Sequence, residues 1–330
     1  MSRSPVPRRE FLKSVLAAAA AAKTATARRL FGASAGPALD AKGLPTVTLG
    51  KTGAVVPRIG IGLGSRFCAV ASEDRATEIL NAALDHGFYY WDTAANYVNK
   101  TIVSEERLGR VLETRRKEVF LATKFEERTY DGVMKQLETS LKRLRTDRLD
   151  LYQMHAVDSL ADLAAAAAKG GALDALRKLR DEKVTRFIGF TGHLDAAAMA
   201  EAARRHDFDT MLIALNHYQE RQGDFEGGAI PAAADRGLGV LIIKSIRPRE
   251  TVKNIAAADL IRYALSLPRV HAAVVGTDSV EVVRKNAALL KGFKPLTSEE
   301  MKGLAVRLEP FYAGNGLPWM REEYRDGEHG

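Results

Sequence analysis

The chain of 330 residues contains a single cysteine, Cys68. One thiol excludes an internal disulfide framework, a zinc site built on thiolates and a cysteine-held iron–sulfur cluster within one chain. No G-x-G-x-x-G turn joins a first strand to a first helix, so a doubly wound dinucleotide fold lacks its phosphate-binding turn. Ile59-Gly60-Ile61-Gly62-Leu63-Gly64 alternates glycines, but inside an extended run, where glycine admits close approach of a ligand or backbone. No apolar run is long enough for a stable membrane span. A large charge excess is missing too. The net charge is +8, and half of it sits in residues 1–27, where Arg3, Arg8, Arg9, Lys13 and Lys23 face Glu10. The remainder, mixed with 41 acidic residues, describes a solvated surface and no nucleic-acid footprint.

What is present starts at the N-terminus. Pro7-Arg8-Arg9-Glu10-Phe11-Leu12-Lys13 precedes a short, alanine-rich apolar stretch. A twin arginine in this setting resembles a Tat export signal, which implies the Tat machinery as a partner and an exported, periplasmic location. Ala25-Thr26-Ala27 and Ala33-Ser34-Ala35 both offer an A-x-A cleavage site, ending the signal at residue 27 or 35. Residues 28–44, with Gly32, Gly36, Pro37 and Gly43 among small residues, read as a linker. A signal that goes unused leaves a basic tail on a cytoplasmic protein.

From residue 45 to 330 the pattern is that of one large domain. Thr46–Leu49 and Ala54–Val56 flank Gly50-Lys51-Thr52-Gly53, a hairpin. Eight short apolar runs follow, at 58–64, 88–92, 119–124, 149–155, 186–191, 211–216, 240–244 and 271–276. Amphipathic segments at 73–86, 103–116, 131–145, 171–182, 195–205, 228–236, 255–266 and 279–290 alternate with them. Apolar strands need cover on both faces, which parallel strands with outer helices provide. Eight βα units after a hairpin predict a (β/α)8 TIM barrel whose bottom the hairpin closes. The tail from Glu309, with Phe311, Tyr312, Leu317, Pro318 and Trp319, is either a substrate lid or packing under the rim.

Chemistry in such a barrel sits at the C-terminal ends of the strands. Strand two ends in Asp92, strand three in Lys124 and strand four in His155, and Tyr97 follows Asp92 by five residues. Singly, each has a plain role: a helix cap, a half-buried ring, a surface lysine, a core histidine. Together they suit carbonyl reduction. Hydride addition leaves negative charge on the carbonyl oxygen, which then takes a proton. A phenol, with an unperturbed pKa of ~10, is a reluctant donor, and a nearby ammonium makes it a better one. Lys124 supplies the ammonium, Asp92 orients it, and His155 donates to the substrate oxygen. A barrel lyase or isomerase with a Schiff base on Lys124 would leave Asp92 and Tyr97 without a task.

These residues fall in longer motifs. Asp92-Thr93-Ala94-Ala95-Asn96-Tyr97 followed by Ser104-Glu105-Glu106-Arg107-Leu108-Gly109 resembles the aldo-keto reductase signature, and Leu141 to His155 is similar to the second signature of that family. Leu49-Gly50-Lys51-Thr52-Gly53 resembles its entry hairpin. The resemblance, over roughly residues 45–290, implies a catalytic set of Asp92, Tyr97, Lys124 and His155. It also implies a small-molecule carbonyl substrate, no metal, and an extended nicotinamide cofactor across the barrel mouth. NADP(H) is the family's usual cofactor, with NAD(H) open. The cofactor-binding residues it implies are Gly62, Thr191, His193, Asn216, Lys244, Gly276, Thr277, Ser279 and Asn286.

Departures from the family pattern surround this set. Thr191-Gly192-His193 stands where the family often has Ser-Asn, and Ile243 stands where many members stack a tyrosine. Gly276 and Val282 occupy two positions that often carry basic residues for a 2′-phosphate. These departures also permit a second reading, a non-catalytic nicotinamide-binding barrel that serves as a redox sensor or partner subunit.

Overall fold

The computed structural model describes residues 39–215, 224–247 and 252–309. The twin-arginine segment, Asn216 and the tail beyond residue 309 lie outside the described residues.

A short antiparallel hairpin, β1 (Thr46–Thr48) and β2 (Val55–Pro57), opens the fold. Its turn enters the bottom of the barrel: Leu49 is fully buried, and the Lys51 N–H donates to the Gly237 carbonyl at 2.6 Å. Gly50, at φ +52°, lies so close to the next chain segment that a Cβ there would sit 2.4 Å from the Gly239 nitrogen. Only glycine fits both conditions. The residues just before the hairpin are packed, not loose: Leu44 is buried, and Leu39 and Ala41 rest on the core.

The barrel strands are β3 (Ile59–Gly62), β4 (Tyr90–Asp92), β7 (Phe120–Phe125), β8 (Leu149–Met154), β9 (Thr185–Gly192), β10 (Thr210–Ala214), β11 (Gly239–Ile243) and β12 (Ala272–Gly276). They form a closed, all-parallel barrel in chain order, with β12 returning to β3. Each of the eight expected apolar runs overlaps one of these strands. Between β4 and β7 lies a two-residue ribbon, β5 (Val98–Asn99) with β6 (Ile102–Val103), which the apolar pattern did not mark.

The outer layer contains α1 (Ser65–Cys68), α2 (Glu73–Asp85), α3 (Ser104–Arg115), α4 (Tyr130–Leu144), α5 (Leu160–Ala167), α6 (Ala172–Asp181), α7 (Ala196–Arg205), α8 (Ile230–Asp235), α9 (Ala257–Ser266), α10 (Val280–Lys291) and α11 (Ser298–Arg307). In α4 the buried positions Val133, Leu137, Ser140, Leu141 and Leu144 make one stripe at helical spacing, and Thr129 caps its start. Each such leucine contributes roughly 1.5–3 kcal/mol by leaving water. The helix expected over 228–236 begins differently: a π turn at Phe225–Ala229 leads into α8, with Pro231 in its first turn. The short helices α1, α5 and α11 lie outside the eight expected segments, and α11 is fixed by a Thr297–Glu300 capping box.

Ladder register sets the site. Asp92 pairs with Ala122, and Lys124 pairs with Gln153, which pairs in turn with Gly189. Since strand side chains alternate, Asp92, Lys124, Gln153 and Thr191 share the barrel's inner face.

Candidate active site

Lys124 is withdrawn from water at the end of β7. Its ammonium donates to Asp92 Oδ2 at 2.5 Å, to the Thr93 carbonyl at 2.8 Å and to Tyr97 Oη at 3.1 Å. An ammonium has three protons, and these three acceptors match them. Asp92 also accepts from Gln153 Nε2, at 3.1 Å from Oδ1. Gln153 was not among the expected site residues. A polar residue inside the apolar run 149–155 was the available signal for it. The Lys124 charge also lies 4.6 Å from the centroid of the Tyr97 ring.

Tyr97 stands in the loop after β4, buried against Cys68, Ala94 and Ile102. That loop is tied down at every step. Thr93 Oγ1 donates to Ser104 Oγ, which donates to the Leu63 carbonyl. The Ser104 N–H and the Cys68 thiol both donate to the Tyr97 carbonyl. Arg143 reaches in from α4 to the Ala95 carbonyl at 3.1 Å and lies 3.6 Å from the buried carboxylate of Glu105. Thr123 donates to the same carboxylate at 2.8 Å. Burial drives the Glu105 carboxyl above its usual range, against these bonds. Burial likewise pushes the Cys68 thiol up to about 11, so the one cysteine is a packing residue under Tyr97, and no nucleophile.

His155 follows β8, and its ring meets that of Tyr97 edge-on, centroids 6.0 Å apart. The turn beyond it is strained: Ala156 has φ +56°. Arg128 holds that turn by donating to the His155 and Ala156 carbonyls at 2.6 and 3.1 Å, while Asp162 holds Arg128 at 2.8 Å. Thr191 Oγ1 accepts the Ala156 N–H at 3.0 Å. The Thr191 hydroxyl is therefore already engaged in shaping the turn that carries His155. The His193 ring lies 5.8 Å from that of His155 and 3.6 Å from Asp158. Burial works to raise the Asp158 carboxyl, but His193 and the N–H groups of His193 and Leu194 outweigh it and hold the pKa below the usual carboxylate range. Gly192 belongs to β9; a Cβ there would lie 2.7 Å from Met199 Sδ and 2.9 Å from the Val157 carbonyl. The packing leaves no room for a larger residue at this point.

Beside Asp92 and Tyr97 opens a cleft of about 420 Å³. Gly62, Gly64, Ser65 and Arg66 line it from β3 onward, Lys244, Ser245, Ile246 and Arg247 from beyond β11, and Val274, Val275 and Gly276 from β12, which lies between them. Ile243 offers its apolar face to the same space. Of the expected cofactor residues, Gly62, Lys244 and Gly276 meet in this cleft. Lys244 has a left-handed backbone, φ +64°, at the point where the chain leaves β11. Thr277 is buried and bound inward, its hydroxyl donating to the Val275 carbonyl at 3.0 Å. Ser279 caps α10, accepting from the Val282 N–H at 3.2 Å. Asn286, on the buried side of α10, keeps an Nδ2 with no hydrogen-bond partner among the described residues. Arg66, Ser245 and Arg247 line the cleft without having been expected there. Among the described residues, no group of three or more His, Cys, Asp or Glu side chains is placed to hold a metal ion.

Residues 58–246, more than half of the chain, match the Aldo/keto reductase family, and the chain belongs to that family. It is 29% identical over 224 residues to a D-threo-aldose 1-dehydrogenase from Pseudomonas sp, a match covering 57% of this chain and 65% of that protein. It is 34% identical over 158 residues to L-galactose dehydrogenase from Arabidopsis thaliana, covering 44% and 47%. The chain thus spans less than two thirds of the length of these curated relatives. Among solved structures, an aldo/keto reductase from Klebsiella pneumoniae, in complex with NADP and acetate, superposes with a TM-score of 0.64 at 25% identity, over 80% of this chain and 95% of that one. The holo form of an aldo-keto reductase from Bacillus halodurans superposes with a TM-score of 0.65 at 21% identity, over 80% and 96%, and shows the shared fold.

Proposed function

We propose that this protein reduces an aldehyde or ketone to an alcohol at the expense of NADP(H), with Tyr97 as the proton donor. One observation carries the reading: Lys124 Nζ lies within hydrogen-bond reach of both Asp92 and Tyr97 Oη, in a buried site that opens on a cleft. A reduced nicotinamide, when bound, supplies the hydride. The protein's residues do the rest. Tyr97 gives its proton to the carbonyl oxygen as negative charge develops there. The charge left on the phenolic oxygen is stabilised by an ammonium 3.1 Å away. Asp92 keeps that ammonium in place, and Gln153 keeps Asp92 in place. His155, whose ring meets that of Tyr97 edge-on, is proposed to donate to the same substrate oxygen and orient it. Burial excludes water, so these charges act in a low-dielectric setting.

The residues present fit a dinucleotide. Gly62, Gly64 and Gly276 leave the cleft wall without side chains; a Cβ at Gly64 would touch the Tyr97 ring at 3.1 Å. Lys244 and Arg247 supply positive charge on one rim. The unpaired Asn286 Nδ2 and the capped start of α10 suit the adenosine end, with Ser279 at that start. The Klebsiella pneumoniae structure with NADP supports NADP(H) over NAD(H). Asn216, Thr191 and His193 complete the proposed set around the carboxamide.

The test is direct. The purified full-length protein is titrated with NADPH and NADH by fluorescence, then assayed with a panel of aldehydes, sugars and quinones. NADPH oxidation with at least one carbonyl is the expected result. Tight nucleotide binding without turnover on any carbonyl would favour the non-catalytic sensor.

The location is proposed separately. Arg8-Arg9 before Phe11-Leu12-Lys13 supports export of the folded, cofactor-loaded protein through the Tat machinery to the periplasm. Cell fractionation checks it: the wild type is expected outside the cytoplasm, and an Arg8→Lys, Arg9→Lys variant inside.

A further inference from the structure

Arg66, on the short helix α1, lies at the seam where β12 pairs with β3 and closes the barrel. Its stem crosses above Gly276: a Cβ on that glycine would meet Arg66 Cδ at 3.0 Å. Its guanidinium ends 3.3 Å from Asp278, in the segment between β12 and α10. The pair therefore spans from one rim of the cleft, over Gly276, to the segment that follows β12. Both side chains are partly exposed, at 44% and 34%. An ion pair of this exposure is held weakly and is readily exchanged.

The cleft has a direction. Asp92 and Tyr97 mark one part of it, where the carbonyl and the nicotinamide must meet. Beyond them the lining is basic, with Lys244 and Arg247 on one rim and Arg66 on the other. Gly276 lies between the rims and contributes no side chain. A dinucleotide bound in this cleft would find the cationic partners for its phosphates in these basic residues. A guanidinium presents a planar fork that matches phosphate oxygens two at a time, whereas its contact with the partly exposed Asp278 is a single one at 3.3 Å.

We infer that Arg66 is a phosphate receptor for the cofactor, held in position by Asp278 in the free protein and released from it on binding. Asp278 neutralises and orients the guanidinium; the incoming phosphate takes its place. The inference rests on the proposed use of a dinucleotide, and adds to it a residue and an exchange that the cleft alone does not require. Asp278 is then a positioning residue that competes with the ligand.

The exchange makes predictions of opposite sign. Nucleotide affinity is measured on the full chain by fluorescence, with NADPH and NADH, in wild type, Arg66→Gln, Asp278→Asn and the double variant. Arg66→Gln is expected to weaken binding at least tenfold, and Arg66→Lys to restore part of the loss. Asp278→Asn is expected to tighten binding about threefold by freeing Arg66. In the Arg66→Gln background the Asp278→Asn substitution is expected to have no effect. A loss confined to NADPH places Arg66 on the 2′-phosphate; an equal loss for NADPH and NADH places it on the pyrophosphate. Unchanged affinity in Arg66→Gln overturns the receptor role. Tightening by Asp278→Asn that persists without Arg66 overturns the exchange. If the wild type binds neither nucleotide, the cofactor reading fails and the role of Arg66 falls with it; loss confined to the Arg66 variants concerns Arg66 alone.

Discussion

The ammonium of Lys124 donates to Asp92 across 2.5 Å, with both side chains closed off from water. A buried pair of this kind is held by the shape of the site, since desolvation offsets much of its attraction. Removing one partner leaves the other as an uncompensated buried charge. Asp92→Ala is expected to lower unfolding free energy by about 3–5 kcal/mol, measured by urea denaturation. Lys124→Met, which leaves Asp92 with Gln153 as a donor, is expected to cost about 10²–10⁴-fold in kcat. If Lys124→Met retained full turnover, the ammonium would have no part in activating Tyr97.

Tyr97→Phe removes a hydroxyl and little else. The ring keeps its contacts with Cys68, Ala94 and Ile102, and the backbone keeps its bonds from Ser104 and Cys68. The expected result is a fall in kcat of about 10²–10⁴-fold with melting temperature and NADPH affinity nearly unchanged. Wild-type turnover in this variant would require another proton donor.

Gly192 tests whether the family's asparagine can be restored. The space at Gly192 is taken by Met199 and by the Val157 backbone. Gly192→Asn is expected to destabilise the protein by about 1–3 kcal/mol, as overpacking does, and to leave cofactor affinity no better. Thermal melts and NADPH titration of the same sample decide the matter.

His271 gives a pH signature. Its Nδ1 accepts the Val240 N–H of β11 at 3.0 Å, which requires that nitrogen to be unprotonated. Burial, assisted by the nearby Arg58 charge, depresses its pKa below the ordinary 6.5. The folded protein therefore binds this proton less readily than the unfolded chain. The resulting stability is present above about pH 6.5 and is lost as the pH falls through the depressed value. Melting temperatures between pH 8 and pH 5 are expected to fall more steeply for the wild type than for His271→Gln. Parallel curves would mean that His271 contributes no pH dependence.

Much of the architecture was legible in the residue pattern. Period and punctuation located the barrel strands, because each strand is buried on two faces and bounded by polar turns. Asp92, Lys124 and His155 stood out as polar residues ending apolar runs. Gln153 was harder to see, because its importance lies in one contact with Asp92, 61 residues earlier in the chain. The β5–β6 ribbon is two residues per strand, too short for any periodicity to register. Thr191 looked like a ligand contact by its position; the structure also gives its hydroxyl a local task, the turn at Ala156.

The sequence by itself determined the barrel, the order of its strands and the chemical types gathered at its mouth. Burial patterns and motif spacing are properties of the linear chain, and they suffice for that. Only the tertiary structure decided that Lys124 reaches Asp92 and Tyr97 at once, that Gly192 has no room for a side chain, and that Arg66 crosses Gly276 to meet Asp278. Each depends on the register between neighbouring strands and on a few ångströms of space between distant segments. Those distances arise as neighbouring elements pack, β4 against β7 for the first and β12 against β3 for the last, and no local pattern encodes them.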